Sequence, residues 1–221
     1  MEALQFCPVQ DGCIQECPRR TATPAPTDLL TAPGACITQD TSDVRPGAQP
    51  GSPAYIVRDS SPCFASPPSP PRLGPNSDFT LSVWLKLQDS NRPGTIIEKQ
   101  NSAGQTIFAL TVSTNQLTLD YLTSSGARQL VQNQNPFSTN RWYQLVLQVY
   151  ETRLSIFIDG TESDGTPYTT LDLQGQITDE SSGTSSRIGL KLDGTQQFVG
   201  RLQELWFYNV ALTNRLGRAT I

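Results

Sequence analysis

From Asp78 onward, apolar and polar residues alternate in short runs. In FTLSVWLKL (79–87), Phe79, Leu81, Val83, Leu85 and Leu87 fall on one side. Thr80, Ser82, Trp84 and Lys86 fall on the other, which is the period-two signature of a strand with one buried face. The same reading predicts strands at TIIEK (95–99), TIFALTVS (106–113), QLTLDYL (116–122), WYQLVLQVY (142–150), RLSIFIDG (153–160), SRIGL (186–190) and QFVGRLQELWFYNV (197–210). Turn-forming stretches separate them: DSNRPG (89–94), NSAG (101–104), TSSG (123–126), ETR (151–153), SDGT (163–166), ESSGT (180–184) and LDGT (192–195). Many short strands and no amphipathic helix point to an all-β sandwich or barrel over about residues 76–215. ALTNRLGRA (211–219) has room for a helical turn or two at the end. Trp84, Trp142 and Trp206 are expected to pack in the core or on a sheet face.

Before Asp78 the pattern is different. Fourteen of the 17 prolines lie in residues 1–75, and 14 of the 17 aromatics lie in residues 76–221. Proline fixes φ and removes a backbone donor, so the first stretch is expected to form neither long helices nor central strands. The chain divides on this basis into a cysteine- and proline-rich N-terminal extension, 1–75, draped across a sandwich, 76–221. SPPSPPRLGPNSD (66–78) reads as a stiff, extended connector.

All five cysteines, Cys7, Cys13, Cys17, Cys36 and Cys63, fall in the extension, and none follows in the last 158 residues. They lack the paired C-x-x-C knuckles of a zinc ribbon, and a proline-rich stretch offers little core for buried thiols. Disulfides formed in an oxidising compartment are the expectation. Cys36–Cys63 is the favoured bridge; Cys13 and Cys17 are left to pair with each other, with Cys7 or with a cysteine upstream. The odd count implies such a missing mate. The opening MEALQFCPVQ has no basic and apolar leader, so an export signal is expected upstream as well. No apolar run reaches the ~20 residues of a membrane span, and no N-x-[ST] sequon occurs.

Charge and residue inventory narrow the chemistry. A net charge of −4 and a pI near 4.8 disfavour nucleic acid, which needs a dense basic surface. The chain has no histidine, which excludes Ser-His-Asp and Cys-His relays and imidazole zinc sites. A glycosidase needs two opposed carboxylates; the nearest candidate is Glu162 with Asp164, in a turn-like ESDGTP where no third acid follows. Asp179 and Glu180 read as loop. Asp159, Asp164, Asp172, Asp179 and Asp193 lie near strand ends and are the candidate calcium ligands, though each also suits a turn. Lys86, Lys99 and Lys191 have no motif around them and read as solvated charges. The inventory therefore assigns no catalytic, cofactor or metal residue, and predicts a protein that is not an enzyme.

Several segments carry a resemblance. FTLSVWLK (79–86), TIIEK (95–99), FALTVSTNQLTLDY (108–121), NRWYQLVLQV (140–149), RLSIFIDG (153–160) and FVGRLQELWFYNVALT (198–213) resemble the laminin-G-like, concanavalin-A-like superfamily. The resemblance implies an antiparallel jelly-roll β-sandwich in which the tryptophan-bearing strand opens the sandwich, the two strands after residue 140 form a hairpin, and the closing strand packs beside the first. Asp159-Gly160 suits a hairpin corner. Further pieces, LQFCPVQDGCIQECP (4–18), ACITQD (35–40), SPCFASPPSP (61–70) and ITDESSGT (177–184), resemble the N-terminal module of large matrix and cell-surface proteins of sensory cells. Extracellular binding to matrix or cell-surface proteins such as collagen or fibronectin is what that likeness implies. A pentraxin-type, calcium-dependent carbohydrate lectin is the alternative.

Overall fold

The computed structural model describes residues 26–30, 37–48, 53–57, 64–67, 71–73, 78–88, 92–113, 116–133, 137–159, 169–178 and 184–212. The five cysteines, Glu162, Asp164, Asp179 and Glu180 lie outside the described residues, as does the end of the 211–219 stretch.

Thirteen strands are present among the described residues. They are β1 (Thr27–Asp28), β2 (Thr38–Asp40), β3 (Ala54–Val57), β4 (Phe79–Leu87), β5 (Gly94–Gln100), β6 (Thr106–Val112), β7 (Leu117–Leu122), β8 (Arg128–Asn133), β9 (Trp142–Tyr150), β10 (Arg153–Ile158), β11 (Thr169–Asp172), β12 (Ser185–Ile188) and β13 (Gly200–Tyr208). They form two antiparallel sheets. The larger runs β11-β10-β9-β4-β13-β3-β2, with β1 also on β13; the smaller runs β12-β5-β6-β7-β8. The protein is an all-β jelly-roll sandwich; the alternation predicts its strands and the family resemblance its class.

The register shows why the alternation was informative. Phe79, Leu81, Val83 and Leu85 of β4 lie opposite Val149, Leu147, Leu145 and Tyr143 of β9, all buried. These side chains meet Phe108, Leu110, Leu119 and Tyr121 of the smaller sheet in one apolar cluster. Its centre is a stack of rings, with Phe79 5.4 Å from Phe108 and from Phe207. Each ring lies on a different strand, so the stack ties β4, β6 and β13 together. The segment leading into β13 packs so close to the start of β5 that a Cβ on Gly94 would sit 2.6 Å from the Cα of Phe198.

Several expectations change. The extension does contribute short strands: β3 lies against β13 and β2 lies outside β3, in the same sheet as β4 and β9. The proposed division at residue 75 therefore separates sequence whose strands share one sheet. The described parts of the connector pack against the fold, with Pro67, Pro71 and Leu73 buried, and just before it buried Ala65 is bridged to Ile188. Strands β8 and β11 had no counterpart in the alternation. The β9–β10 corner is Glu151-Thr152, since Tyr150 pairs with Arg153. Asp159 is at the opposite, open end, where its amide donates to the Gln144 carbonyl and its carboxylate accepts from the Gln144 amide.

Candidate functional site

In β4, β9 and β13 the residues that alternate with the core positions face outward. Register places Lys86 beside Trp142 and Arg201, Trp84 beside Gln144 and Gln203, and Ser82 beside Val146 and Trp206. The outer face of the larger sheet thus carries three half-buried tryptophans, Trp84, Trp142 and Trp206, together with two cations. All three tryptophans occupy a sheet face, one of the two placements expected.

The segment 40–48 crosses one end of this face as a strap. Asp43 accepts both hydrogen bonds of the Lys86 ammonium (3.0 and 2.9 Å), one from the Trp142 indole N–H (3.2 Å), and lies 3.2 Å from Arg201 Nε. Arg201 also reaches Asp40 at 3.1 Å. Arg45 forms a two-pronged pair with Glu204 (2.9 and 2.8 Å), its amide donates to Gln203 Oε1, and its guanidinium sits 5.1 Å from the centre of the Trp84 ring. Glu204 is placed for this by a bulge in β13, where it takes φ +53°, a left-handed conformation uncommon for a side-chain-bearing residue. Bidentate arginine–carboxylate geometry and the Arg45–Trp84 contact hold these groups in one arrangement.

The electrostatics follow from these contacts. The hydroxyl and amide of Ser42, and then Arg201, hold the Asp40 carboxyl down at about 2. For Asp43 partial burial pushes upward, and hydrogen bonds from Lys86 and Trp142 with the Arg201 charge outweigh it, so its carboxyl titrates below the ordinary range. Both acids are anionic near neutrality.

Further along the same face lies a small groove, enclosing about 300 Å³ including some open solvent, lined by Thr80, Ser82, Val146, Gln148, Phe157 and Tyr208. Leu212 closes one side, its amide bound to Thr80 Oγ1. Burial raises the Tyr208 phenol above its usual value, so it remains a neutral donor.

The outer face of the smaller sheet is sealed instead. Glu98 is 2% exposed; its carboxylate accepts from Thr106 Oγ1, Gln100 Nε2 and the Leu192 amide. Asp120, also buried, lies 4.0 Å from Lys191. The 189–195 loop covers both acids, and its own turn is held by Asp193, which caps Thr195; those bonds lower the Asp193 pKa.

The three lysines read as solvated are corrected by this geometry. Lys86 and Lys191 are only 15% exposed and ion-paired, and Lys99 is fully buried, donating to the Pro71 carbonyl at 2.8 Å. A lysine stem packs readily in a core when its head finds a partner. Of the candidate calcium ligands, Asp159, Asp172 and Asp193 are described, and they are not brought together. Asp159 pairs with Arg141, Asp172 is opposite Arg153, and Asp193 caps its own turn. Among the described residues no three acids converge, so those present do not form a calcium site. The strap residues Asp40, Asp43 and Arg45 were missed because only tertiary contact gives them a role.

A two-sheet antiparallel sandwich with a braced aromatic and charged sheet face defines the class, a jelly-roll module of the laminin-G-like kind. Comparison with known proteins agrees: a sequence profile of the concanavalin A-like lectin/glucanases superfamily matches residues 63–215, and the chain belongs to that superfamily. It is 41% identical to human usherin over 217 residues and 36% identical to mouse usherin over 220, covering 97% of this chain in each case. It spans only 4% of either usherin's length. A zebrafish relative, adhesion G-protein coupled receptor V1, is 30% identical over 62% of this chain and 2% of its own. Solved structures share the fold at low identity. The receptor binding domain of botulinum neurotoxin type G superposes with a TM-score of 0.54 at 11% identity, covering 83% of this chain and 43% of that one. A Ruminococcus gnavus sialidase CBM40 bound to sialyllactose superposes at 0.51 and 14%, covering 63% and 80%. No helix among the described residues is long and apolar enough to cross a membrane.

Proposed function

We propose that this chain is a non-catalytic, extracellular adhesion module that binds matrix or cell-surface proteins through the outer face of its larger sheet. The observation that carries the reading is the braced Trp84–Trp142–Arg45–Arg201 surface. Tryptophan and arginine are the residues most enriched where partner proteins make their strongest contacts, and side chains already held in place lose little entropy on binding. Similarity to usherin and to an adhesion receptor supports an extracellular setting, with basement-membrane collagen and fibronectin as the partners to try first. A typical contact of this kind covers about 800 Å² per partner and makes or breaks no bond.

The test is surface plasmon resonance of the oxidised chain on immobilised collagen and fibronectin, with Trp142→Ala and Trp206→Ala as variants. Binding weakened about tenfold or more by either change, the scale of a 1.4 kcal/mol contact, supports the reading. Chelator-reversible binding to a glycan array, with no protein bound, would replace it with the lectin alternative.

A further inference from the structure

The open edges of the two sheets are treated unequally. On the larger sheet β2 has three residues and ends in the ion-paired Asp40, and β11 has four. On the smaller sheet the free side of β12 is taken by Ala65, which exchanges two backbone hydrogen bonds with Ile188. Strand β8 is the exception. It is a six-residue terminal strand, RQLVQN, without proline, and none of the described residues pairs with its outer side. Its central Leu130 is 55% exposed, one of two large apolar side chains so exposed among the described residues. Natural edges are normally shortened, charged, bulged or covered, because free N–H and C=O groups invite another strand.

The hairpin fixes which groups face outward. The Thr123 amide donates to the Ala127 carbonyl and the Gly126 amide to the Thr123 carbonyl, so Thr123 and Ala127 form a hydrogen-bonded pair. Antiparallel alternation then turns the N–H and C=O of Gln129 and Val131 toward β7. Those of Arg128, Leu130 and Gln132 point to the free edge.

From this edge we infer that the chain self-associates by antiparallel pairing of β8 with β8 of a second copy, joining two smaller sheets into one. A two-fold axis normal to the sheet keeps outer faces outward, which requires residues of the same face to lie opposite one another. The register centred on Leu130 meets this condition. It sets Leu130 against Leu130 of the second copy, burying the exposed side chain, and Arg128 against Gln132 of the second copy. The single charge in the strand therefore meets no like charge. The interface is small, so the dimer forms reversibly with concentration.

Sedimentation velocity of the full chain over a wide concentration series tests this. The expected result is a species of twice the 24.2 kDa chain mass that does not depend on an intermolecular disulfide. Leu130→Lys, at an exposed position, and Leu130→Pro, which removes only an edge-facing N–H, should abolish it. Tyr150→Lys, at the other exposed apolar position, should leave it intact. Amide exchange gives a second readout: protection at Leu130 and Gln132 should rise with concentration, while Gln129 and Val131 stay unchanged. A chain that remains monomeric throughout, or a dimer that survives both Leu130 variants or disappears only on reduction, overturns the inference.

Discussion

The outer faces of the two sheets are built from similar residue types and serve opposite ends. On the larger sheet, acids from the strap 40–48 pair with Lys86 and Arg201 in a partly exposed network, leaving tryptophan edges at the surface. On the smaller sheet, Glu98 and Asp120 are themselves the sheet residues, and the 189–195 loop buries them. A buried carboxylate saturated by donors is a fixed joint with no reach to a ligand. Partly exposed charges clamped beside aromatic rings form a surface. The same chemistry thus holds a loop shut on one side and, on the other, braces the face proposed to bind.

The largest expected effect lies beneath both faces. Phe108→Ala removes the smaller sheet's ring from the stack with Phe79 and Phe207 and should cost about 3–5 kcal/mol, read as a lower denaturant midpoint, with both faces losing order together. Glu98→Ala should separate them. It leaves the Leu192 amide and Thr106 hydroxyl without their acceptor, costs about 1–3 kcal/mol and speeds exchange in 189–195, while matrix binding holds.

Much of this contrast was hidden in the sequence. Strands β4 and β9 were legible because both alternate for nine residues over one buried face. Strand β11 is only four residues, and RQLVQN of β8 shows no clear alternation, so neither announced itself. Segments β1 to β3 were obscured by proline-rich surroundings, and their strand character comes from pairing with β13 and with each other. Lys99 looked solvated because only the fold brings the Pro71 carbonyl to its ammonium. The site was the least legible part, since Asp43, Lys86, Trp142 and Arg201 are far apart in the chain and meet only across strands.

The strap gives the comparison a pH dependence. Asp40 is held near 2 and Asp43 below its ordinary value, both under the unfolded value of about 3.9. Depressed folded values mean the stabilisation is complete above about pH 4 and is lost as pH falls toward 2. Acid titration followed by tryptophan fluorescence should therefore report loosening of the larger sheet's face in that window. Arg201→Ala should cost about 1 kcal/mol at neutral pH and weaken the acid dependence only in part, because Ser42 still holds Asp40 and Lys86 and Trp142 still hold Asp43. A steep loss between pH 7 and 5 would contradict this assignment. The smallest effect belongs to Ser186, whose buried hydroxyl has no hydrogen-bond partner among the described residues. Ser186→Ala should be neutral or raise the melting temperature slightly, because it removes an unsatisfied group.

Amide hydrogen exchange of the oxidised chain, free and saturated with a bound matrix protein, tests the central claim most directly. The account predicts new protection in 40–48, around Trp84 and Trp142, and along 201–206, with no change in β6 or the 189–195 loop. Protection confined to the smaller sheet and its loop would contradict it.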